Sequence, residues 1–439
     1  MTIKRSLAGG LVLTFALGAF AMPAAARTQD ERIADLERLL AQQAQRIAEL
    51  EAKVERQGSQ SADGRGLDTA QPAPAAPATQ NSAPPALATA GPDIRQEIGV
   101  PGLDLFGDMR LRYEHNWSQR GQRDRGRGVL RARLGATYRF DDMFSAGARI
   151  VTGNPDDPNT ADVTLSNFDD DLDVALDQAY VTANLGPGQL TLGKMPQVFR
   201  KTDLVWDDDV NPQGLSLKAS LPLGHASRLE LRGLYFLIDE AVLGADSSMR
   251  GGQAAFVASP SHGLELSLAA AYYDYRIRSV AGADAGDFRD NRRRADGGYL
   301  SDFNLLDILG TARWQGLGDR WPLSVTADYV MNKGSAGGTE DRGLALISSL
   351  GRTTERGDWQ VGYSYLQADA DAVLAAFSHD NVDLATDYLL HALTIDYVLR
   401  RHVVLNLTLY HYRAQHSALP EGLAADWRNR LRLNFSYSF

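Results

Sequence analysis

Hydrophobic and polar residues alternate along much of this chain, and the pattern is clearest in its last nine residues. There Leu431, Leu433, Phe435, Tyr437 and Phe439 alternate with Arg432, Asn434, Ser436 and Ser438. Successive side chains of an extended strand point to opposite faces, so this spacing predicts a strand with one apolar and one polar face. Nine residues do not distinguish such a strand from the half-buried edge strand of a soluble sandwich.

Sixteen runs that alternate in this way, or are rich in β-forming residues, follow one another between residues 96 and 439. They begin near Leu105, Val129, Phe144, Val174, Gln189, Gly214, Ser227, Arg250, Leu264, Leu305, Leu323, Leu344, Trp359, Tyr388, Val403 and Arg428. Tight turns and long polar stretches alternate between the runs, and the longest stretches are 154–173, 196–212, 281–301 and 370–387.

This sorting of the connections separates two all-β folds. Membrane barrels place short turns at one end and long loops at the other, whereas a soluble sandwich has no reason to do so. We therefore expect an all-β transmembrane fold, an antiparallel up-and-down β-barrel of about 16 strands. An even number of strands returns both ends of the barrel to the periplasmic side.

The segment that precedes the barrel shows three further patterns. Lys4 and Arg5 precede a short apolar segment and then three alanines, which predicts a cleaved signal peptide over residues 1–26. The apolar run is short for a membrane anchor. Residues 58–95 are rich in Ala, Pro, Gln, Ser and Thr, so we expect an extended linker there, followed by the barrel over 96–439.

Between the signal peptide and the linker, residues 27–57 carry a heptad pattern. Its a and d positions are Ile33, Leu36, Leu40, Gln43, Ile47, Leu50 and Val54. This narrow seam favours a periplasmic coiled-coil helix over a single amphipathic helix lying on its own domain. The hexamers 32–37 and 46–51 resemble the Arg-apolar-x-x-apolar-Glu pattern of short trimeric coiled coils, which implies a homotrimer.

Composition narrows the classes of function. A formal net charge of −10 and the lack of a basic tail argue against a nucleic-acid partner. The chain has no cysteine, so no disulfide framework is possible. Its eight histidines show neither metal-ligand spacing nor an arrangement with Ser and an acid, so we expect no metal, no cofactor and no catalytic residues.

The polar faces of three predicted strands are rich in arginine. If the alternating apolar residues face lipid, then the side chains of Arg110, Arg112, Arg131, Arg133, Arg430 and Arg432 face the lumen. Arginine on the lipid face would cost roughly 2–4 kcal/mol near the midplane, which supports the inward assignment. Since the last strand of a closed barrel pairs with the first, we expect one basic wall. The alternative is that each arginine only pairs with an acid and fills space.

The stretch 196–212 carries three successive carboxylates, Asp207, Asp208 and Asp209, directly after Trp206. Folded into the barrel, this stretch would oppose the basic wall and form a charged constriction that selects ions. A solvated outer loop is the competing interpretation. A calcium site is less favoured, because the alternating acids and fixed glycine of a calcium loop are absent.

Several motifs resemble a known family. The segments GDMRLRYE (107–114), LDQAYV (176–181), LGK (192–194) and LVWDDDVNPQG (204–214) are similar to those of the putative porins of Gram-negative bacteria. The resemblance implies an outer-membrane channel preceded by a helical segment, and it does not specify the solute. The closing strand, which ends in Phe439, also resembles those of outer-membrane barrels, whose terminal Phe is read by the β-barrel assembly machinery.

The sequence thus favours an outer-membrane porin, a water-filled diffusion channel for small hydrophilic solutes that is surrounded by outer-membrane lipid. A substrate-specific channel for an anionic solute is the nearest alternative, because the arginines are contiguous. An outer-membrane hydrolase is a further alternative but lacks an identifiable nucleophile and base. In a fourth interpretation, the coiled coil and linker tether the barrel to the cell wall, and this role is compatible with a pore.

Overall fold

The computed structural model describes residues 100–439 except for 120–123, 154–157, 167–171, 225, 243, 339 and 417–425. The described residues contain seventeen strands, a short helix α1 (Ala285–Phe288) and a 3-10 turn (Ala375–Phe377). The strands are β1 (Leu103–Ser118), β2 (Arg125–Arg139), β3 (Phe144–Thr152), β4 (Val163–Thr164), β5 (Val174–Leu185), β6 (Gly188–Lys194), β7 (Gln213–Pro222), β8 (Ser227–Asp239), β9 (Ser247–Ser261), β10 (Leu264–Arg276), β11 (Asn304–Trp314), β12 (Leu323–Asn332), β13 (Arg342–Gly351), β14 (Trp359–Ala368), β15 (Tyr388–Arg400), β16 (Val403–Ala414) and β17 (Arg428–Ser438).

Sixteen of these strands form one closed antiparallel ring, in which each strand pairs with its neighbours in the chain and β17 pairs with β1. The remaining strand, β4, is two residues long and pairs with β2 beside β3. Closure leaves no strand edge with unpaired backbone groups, so the ladder of hydrogen bonds is complete around the ring. The predicted all-β barrel of about 16 strands is confirmed, and every predicted strand is present.

Burial alternates along the strands as the sequence pattern predicted. On β1, Leu111 and Tyr113 are 41% and 50% exposed, whereas the intervening Arg112 is 7% exposed. On β17, Leu433 is exposed while Arg432 and Asn434 are buried. The outer surface of the ring is therefore apolar, and the polar sides of the same strands face inward.

The connections also alternate in length. Turns such as 186–187 and 262–263 are tight, and Gly186 and Gly263 adopt φ values of 65° and 76°, which a residue with a Cβ rarely adopts. At the opposite end of the ring are four long connections. We name them L2 (153–173), L3 (195–212), L5 (277–303) and L7 (369–387).

An apolar core lies inside the ring and is formed by three of these long connections. L3, L5 and L7 contribute Phe199, Leu204, Val205, Trp206, Val210, Phe288, Tyr299, Phe303, Val373, Leu374 and Phe377. Inward-facing apolar residues of the strands pack against them, among them Phe236, Met249, Tyr273, Leu305 and Val330. Burial of one such side chain stabilises the fold by roughly 1.5–3 kcal/mol, so this core fixes the loops within the ring.

One sequence-based expectation is wrong here. The stretch 370–387 was expected to be a polar outer excursion, but its residues from Ala370 to Ser378 are all buried, and Ala375 is completely so. Its alanines and Phe377 pack against inward-facing apolar residues of the strands. The alternation of residues along strands gives no information about how a loop packs inside the barrel.

The predicted signal peptide (1–26), coiled coil (27–57) and linker (58–95) lie outside the described residues and stay predictions. Within the described part of the chain, no helix is long and apolar enough to cross a membrane.

Candidate functional site

Six arginines on three adjacent strands form a continuous group on the inner face of the ring. β1 carries Arg110 and Arg112, β2 carries Arg131 and Arg133, and β17 carries Arg430 and Arg432, all at most 9% exposed. In the strand register Arg110 lies opposite Arg131, and Glu114 lies opposite Arg432. The closure of the ring therefore brings the six predicted residues together. We call this group the basic wall.

The basic wall contains its own acids, which lie on β1. Asp108 accepts hydrogen bonds from Arg133 Nε at 2.7 Å and from Arg131 Nη2 at 3.1 Å. Glu114 is completely buried and binds Arg432 at 2.8 Å, Arg127 at 2.8 Å and Arg430 at 3.7 Å. Buried charges require such pairing, because desolvation of an unpaired ion costs several kcal/mol.

Two of the long connections add further carboxylates to the wall. Asp162 of L2 forms ion pairs with both Arg110 and Arg112. Asp209 of L3 binds Arg133 Nη1 at 3.0 Å and Arg131 Nη1 at 3.3 Å. L3 thus reaches the inner face of β2, as it must if it folds into the barrel.

These ion pairs determine the charge of the two aspartates. Burial would raise the pKa of Asp209, but the guanidiniums of Arg131 and Arg133 outweigh burial and lower this pKa below its ordinary value. The same balance, with Arg112 and Arg110 as the cations, holds the pKa of Asp162 well below its ordinary value. Both carboxylates are therefore ionised at neutral pH.

The three successive carboxylates of L3 point to different partners. The backbone N–H of Asp207 donates to the carbonyl oxygen of Phe377 in L7 at 2.8 Å, and Asp207 is 6% exposed. Asp208 forms an ion pair with Lys201 of the same loop, and Asp209 reaches the basic wall. Only Asp209 contacts the wall arginines directly among the three.

Asp203, Asp207 and Asp208 of L3 and Asp380 of L7 form an acidic cluster beside the basic wall. Burial, followed by the neighbouring carboxylates Asp380 and Asp203, raises the pKa of Asp207 well above its ordinary value. Burial and the nearby Asp208 raise the pKa of Asp203 to about 7. Near neutral pH, Asp203 is therefore about half ionised.

Trp206 anchors L3 within the apolar core. It is completely buried, stacks on Phe377 of L7 at a ring-centroid distance of 5.9 Å, and meets Tyr273 of β10 edge to face at 5.6 Å. The neighbouring residue in the chain is Asp207, so this packing fixes the position of the acidic cluster.

A narrow gap of about 60 Å³ separates the basic wall from the acidic cluster. Its charged lining consists of four arginines, Arg110, Arg112, Arg131 and Arg432, and of six aspartates, Asp162, Asp203, Asp207, Asp208, Asp209 and Asp380. Polar residues complete the lining, including Asn381, Asn406 and Asn434. The gap is therefore lined by groups of both charges.

Several members of this site were missed by sequence reasoning. Asp162, Asp203, Asp380 and Asn381 lie in long loops, and nothing in their spacing marks them. Asp108 was accessible to the same reasoning as the arginines, because it lies two residues before Arg110 on the same face of β1. Among the residues that the structure describes, no group of three or more His, Asp or Glu is arranged to hold a metal ion.

Residues 116–287 match the sequence model of a protein family described as Putative porin. This match and the sixteen-stranded ring confirm the resemblance to the putative porins. No protein of curated function matches the chain.

Several solved structures resemble this barrel. The high-pH structure of OprB of Pseudomonas putida superposes with a TM-score of 0.51 at 12% identity, covering 77% of this chain and 94% of that one. The outer membrane channel DcaP of Acinetobacter baumannii gives 0.45 at 13% identity, with 77% and 97% covered. OmpF of Salmonella typhi, in complex with daunomycin, gives 0.45 at 12% identity, again with 77% and 97% covered. The similarity to OprB shows a shared barrel fold.

Proposed function

We propose that this protein is an outer-membrane porin, a water-filled diffusion channel for small hydrophilic solutes. The observation that carries the proposal is the closed sixteen-stranded ring, which is apolar outside and has a charged gap inside. Rings of this size class leave an aqueous channel. Such a channel involves no chemical step, so the proposal requires no catalytic residue.

The charged gap is the proposed constriction of this channel. Arginines on one side and carboxylates on the other favour hydrated polar solutes over apolar ones, because only polar solutes interact well with both sides. Six aspartates and four arginines line the gap, so by formal charge the carboxylates outnumber the guanidiniums, and the raised pKa values of Asp203 and Asp207 reduce this excess of acid. On this basis we propose a weak preference for small cations over small anions at the constriction.

The same proposal includes the lipid around the barrel, its assembly and its oligomeric state. Lipid of the outer membrane covers the apolar outer face, and the β-barrel assembly machinery inserts the chain by reading Phe439. The coiled coil at 27–57 lies in the periplasm and supports a homotrimer. The heptad pattern in the sequence supports this assembly.

Swelling of liposomes that contain the purified protein tests the channel function. Small sugars and amino acids should enter and swell the vesicles, and the rate should fall steeply as solute size increases. Vesicles that do not swell in any small solute would contradict the proposal. Vesicles prepared with heat-denatured protein provide the control for leakage.

A further inference from the structure

A second and larger cavity lies next to the charged gap, on the side of the tight turns. Its volume is about 520 Å³, within the range of about 300–1,000 Å³ that is common for small-molecule sites. It shares Asp203, Asp208, Asn381 and Tyr410 with the gap, so a solute that passes the gap enters this cavity.

One side of the cavity carries a surplus of positive charge. Arg200 of L3 and Arg228 and Arg232 of β8 all bind the same carboxylate, that of Glu230. Arg200 Nη2 lies 3.0 Å and Arg228 Nε 2.8 Å from Glu230 oxygens. Among the described residues, Glu230 is the only carboxylate in an ion pair with these three guanidiniums.

Neither cross-strand neighbour of Arg232 adds a carboxylate to this side. Lys218 of β7 lies directly opposite Arg232 in the strand register, so it stands on the same inner face. Gln253 of β9 accepts a hydrogen bond from Arg232 Nη1 at 3.0 Å, which neutralises no charge. Three guanidiniums thus share one carboxylate.

The other charges of the cavity lining do not offset this surplus. Lys201 forms its ion pair with Asp208, and Glu265 lies opposite Arg313 in the strand register. Asp203 has a pKa of about 7, raised by burial and by Asp208, so it carries little charge at slightly acidic pH. The three guanidiniums on the cationic side of the cavity are therefore balanced by the single carboxylate of Glu230.

The far side of the cavity is apolar. Leu309 of β11, Ile347 of β13, Leu366 of β14 and Leu390 and Ala392 of β15 all contribute to the lining. β13, β14 and β15 lie five to seven strands away from β8 in the ring of sixteen, so they face β8 across the interior. Inward positions of an aqueous channel are ordinarily polar, and an apolar patch there stabilises a bound apolar group by removing its surface and that of the patch from water.

We propose that this cavity is a binding site for a small organic anion with an apolar body, of the aromatic monocarboxylate class. The carboxylate takes the place of a second counter-ion among Arg200, Arg228 and Arg232, where a guanidinium offers paired N–H donors. The apolar body packs on the patch formed by Leu309, Ile347, Leu366 and Leu390. The inference rests on the proposed channel function, since the solute must enter through the pore.

Block of ionic current by added solutes tests this site in the full-length protein. Channels in a planar bilayer are bathed in about 0.1 M KCl, where charges remain effective over about 10 Å. Benzoate, acetate and benzyl alcohol are then compared as blockers. Benzoate should reach half-block at a concentration roughly tenfold or more below the other two, because only benzoate uses both sides of the cavity. Equal half-blocking concentrations for benzoate and acetate would overturn the proposal without any mutation.

Two double variants test the cationic side and the apolar side of the cavity separately. The double substitution Arg228→Gln and Arg232→Gln should raise the half-blocking concentration of benzoate about tenfold, and Ile347→Thr with Leu366→Thr should reduce the difference between benzoate and acetate. Arg250→Gln is the matched control, since it removes one cation from the exposed outer face of β9. A benzoate block that is unchanged in both variants would place the site elsewhere and overturn the assignment.

The outcomes for the two proposals are distinguishable. If the protein conducts KCl but benzoate and acetate block it equally, and the variants do not change this block, the channel function is supported and this site is overturned. A protein that conducts no ions overturns the proposed function and, with it, the site.

Discussion

Asp209 of L3 binds Arg133 of β2 at 3.0 Å, and this contact joins the tip of an acidic loop to the inner face of the barrel. Residues 76 positions apart in the chain meet there because L3 folds inward and because β2 presents its arginines to the interior. The contact pairs a carboxylate of L3 with the guanidiniums of the basic wall beside the narrow gap. The predicted selectivity of the channel depends on this arrangement.

Replacing Asp207, Asp208 and Asp209 by Asn should shift ion selectivity toward anions. A charge about 4 Å from an ion in water contributes about 1 kcal/mol, so at low salt each ionised carboxylate raises the local concentration of potassium and lowers that of chloride by up to roughly fivefold each. The reversal potential under a KCl gradient measures this ratio. An unchanged reversal potential would place the three residues outside the constriction.

The single variants refine this prediction. Asp207→Asn alone should change the ratio little, because burial and the nearby carboxylates keep the pKa of Asp207 well above its ordinary value. Asp209→Asn should change it more, because the pKa of Asp209 is lowered by Arg131 and Arg133. Asp319→Asn, in an exposed turn, is the charge-matched control.

Selectivity should also depend on pH through Asp203. Its pKa is raised to about 7 by burial and by Asp208, so the side chain gains a negative charge as the pH rises from about 6 to 8. The preference for potassium should therefore increase over this interval with a midpoint near 7. In Asp203→Asn the step should vanish, and a step that persists there would assign the titration to another group.

Trp206 should stabilise the folded position of L3. Trp206→Ala removes a completely buried indole from contact with Phe377 and Tyr273, and loss of a large buried aromatic residue costs about 3–5 kcal/mol. Unfolding by denaturant in lipid vesicles, together with the noise of the open-channel current, measures the effect. Trp314→Ala, at a 43% exposed position, should be much milder. Equal losses in the two variants would contradict the anchoring role.

The oligomeric state should depend on residues 28–57. Their heptad seam favours association of helices, so deletion should weaken a trimer while the sixteen-stranded ring remains intact. Native mass spectrometry of the intact and deleted proteins in detergent gives the number of subunits. An identical trimer after deletion would assign the association to the barrel itself.

The sequence was sufficient for the ring and for the basic wall. A period of two is maintained from Leu431 to Phe439 and along the other strands, and closure then follows because the terminal strand must find a partner. Arg432 and Arg112 came together through this closure. Alternation decides which face each residue occupies, and strand order decides which faces are neighbours.

The interior of the barrel was not predictable in the same way. Tyr273 and Phe236 are apolar residues on inward faces, and no periodicity distinguishes them from lipid-facing residues until the packing loops are known. L7 was expected to be polar because its segment contains aspartates, yet Ala375 and Phe377 are buried. The position of a long loop depends on which distant residues it packs against, and no local sequence pattern reveals those partners.

Single-channel conductance in a planar bilayer tests the central claim most directly. The purified full-length protein should insert in discrete steps, each an open aqueous pathway with a conductance that increases with salt concentration. Its reversal potential under a KCl gradient should show a weak preference for potassium. Membranes that stay electrically silent although they contain correctly folded barrels would contradict the channel function.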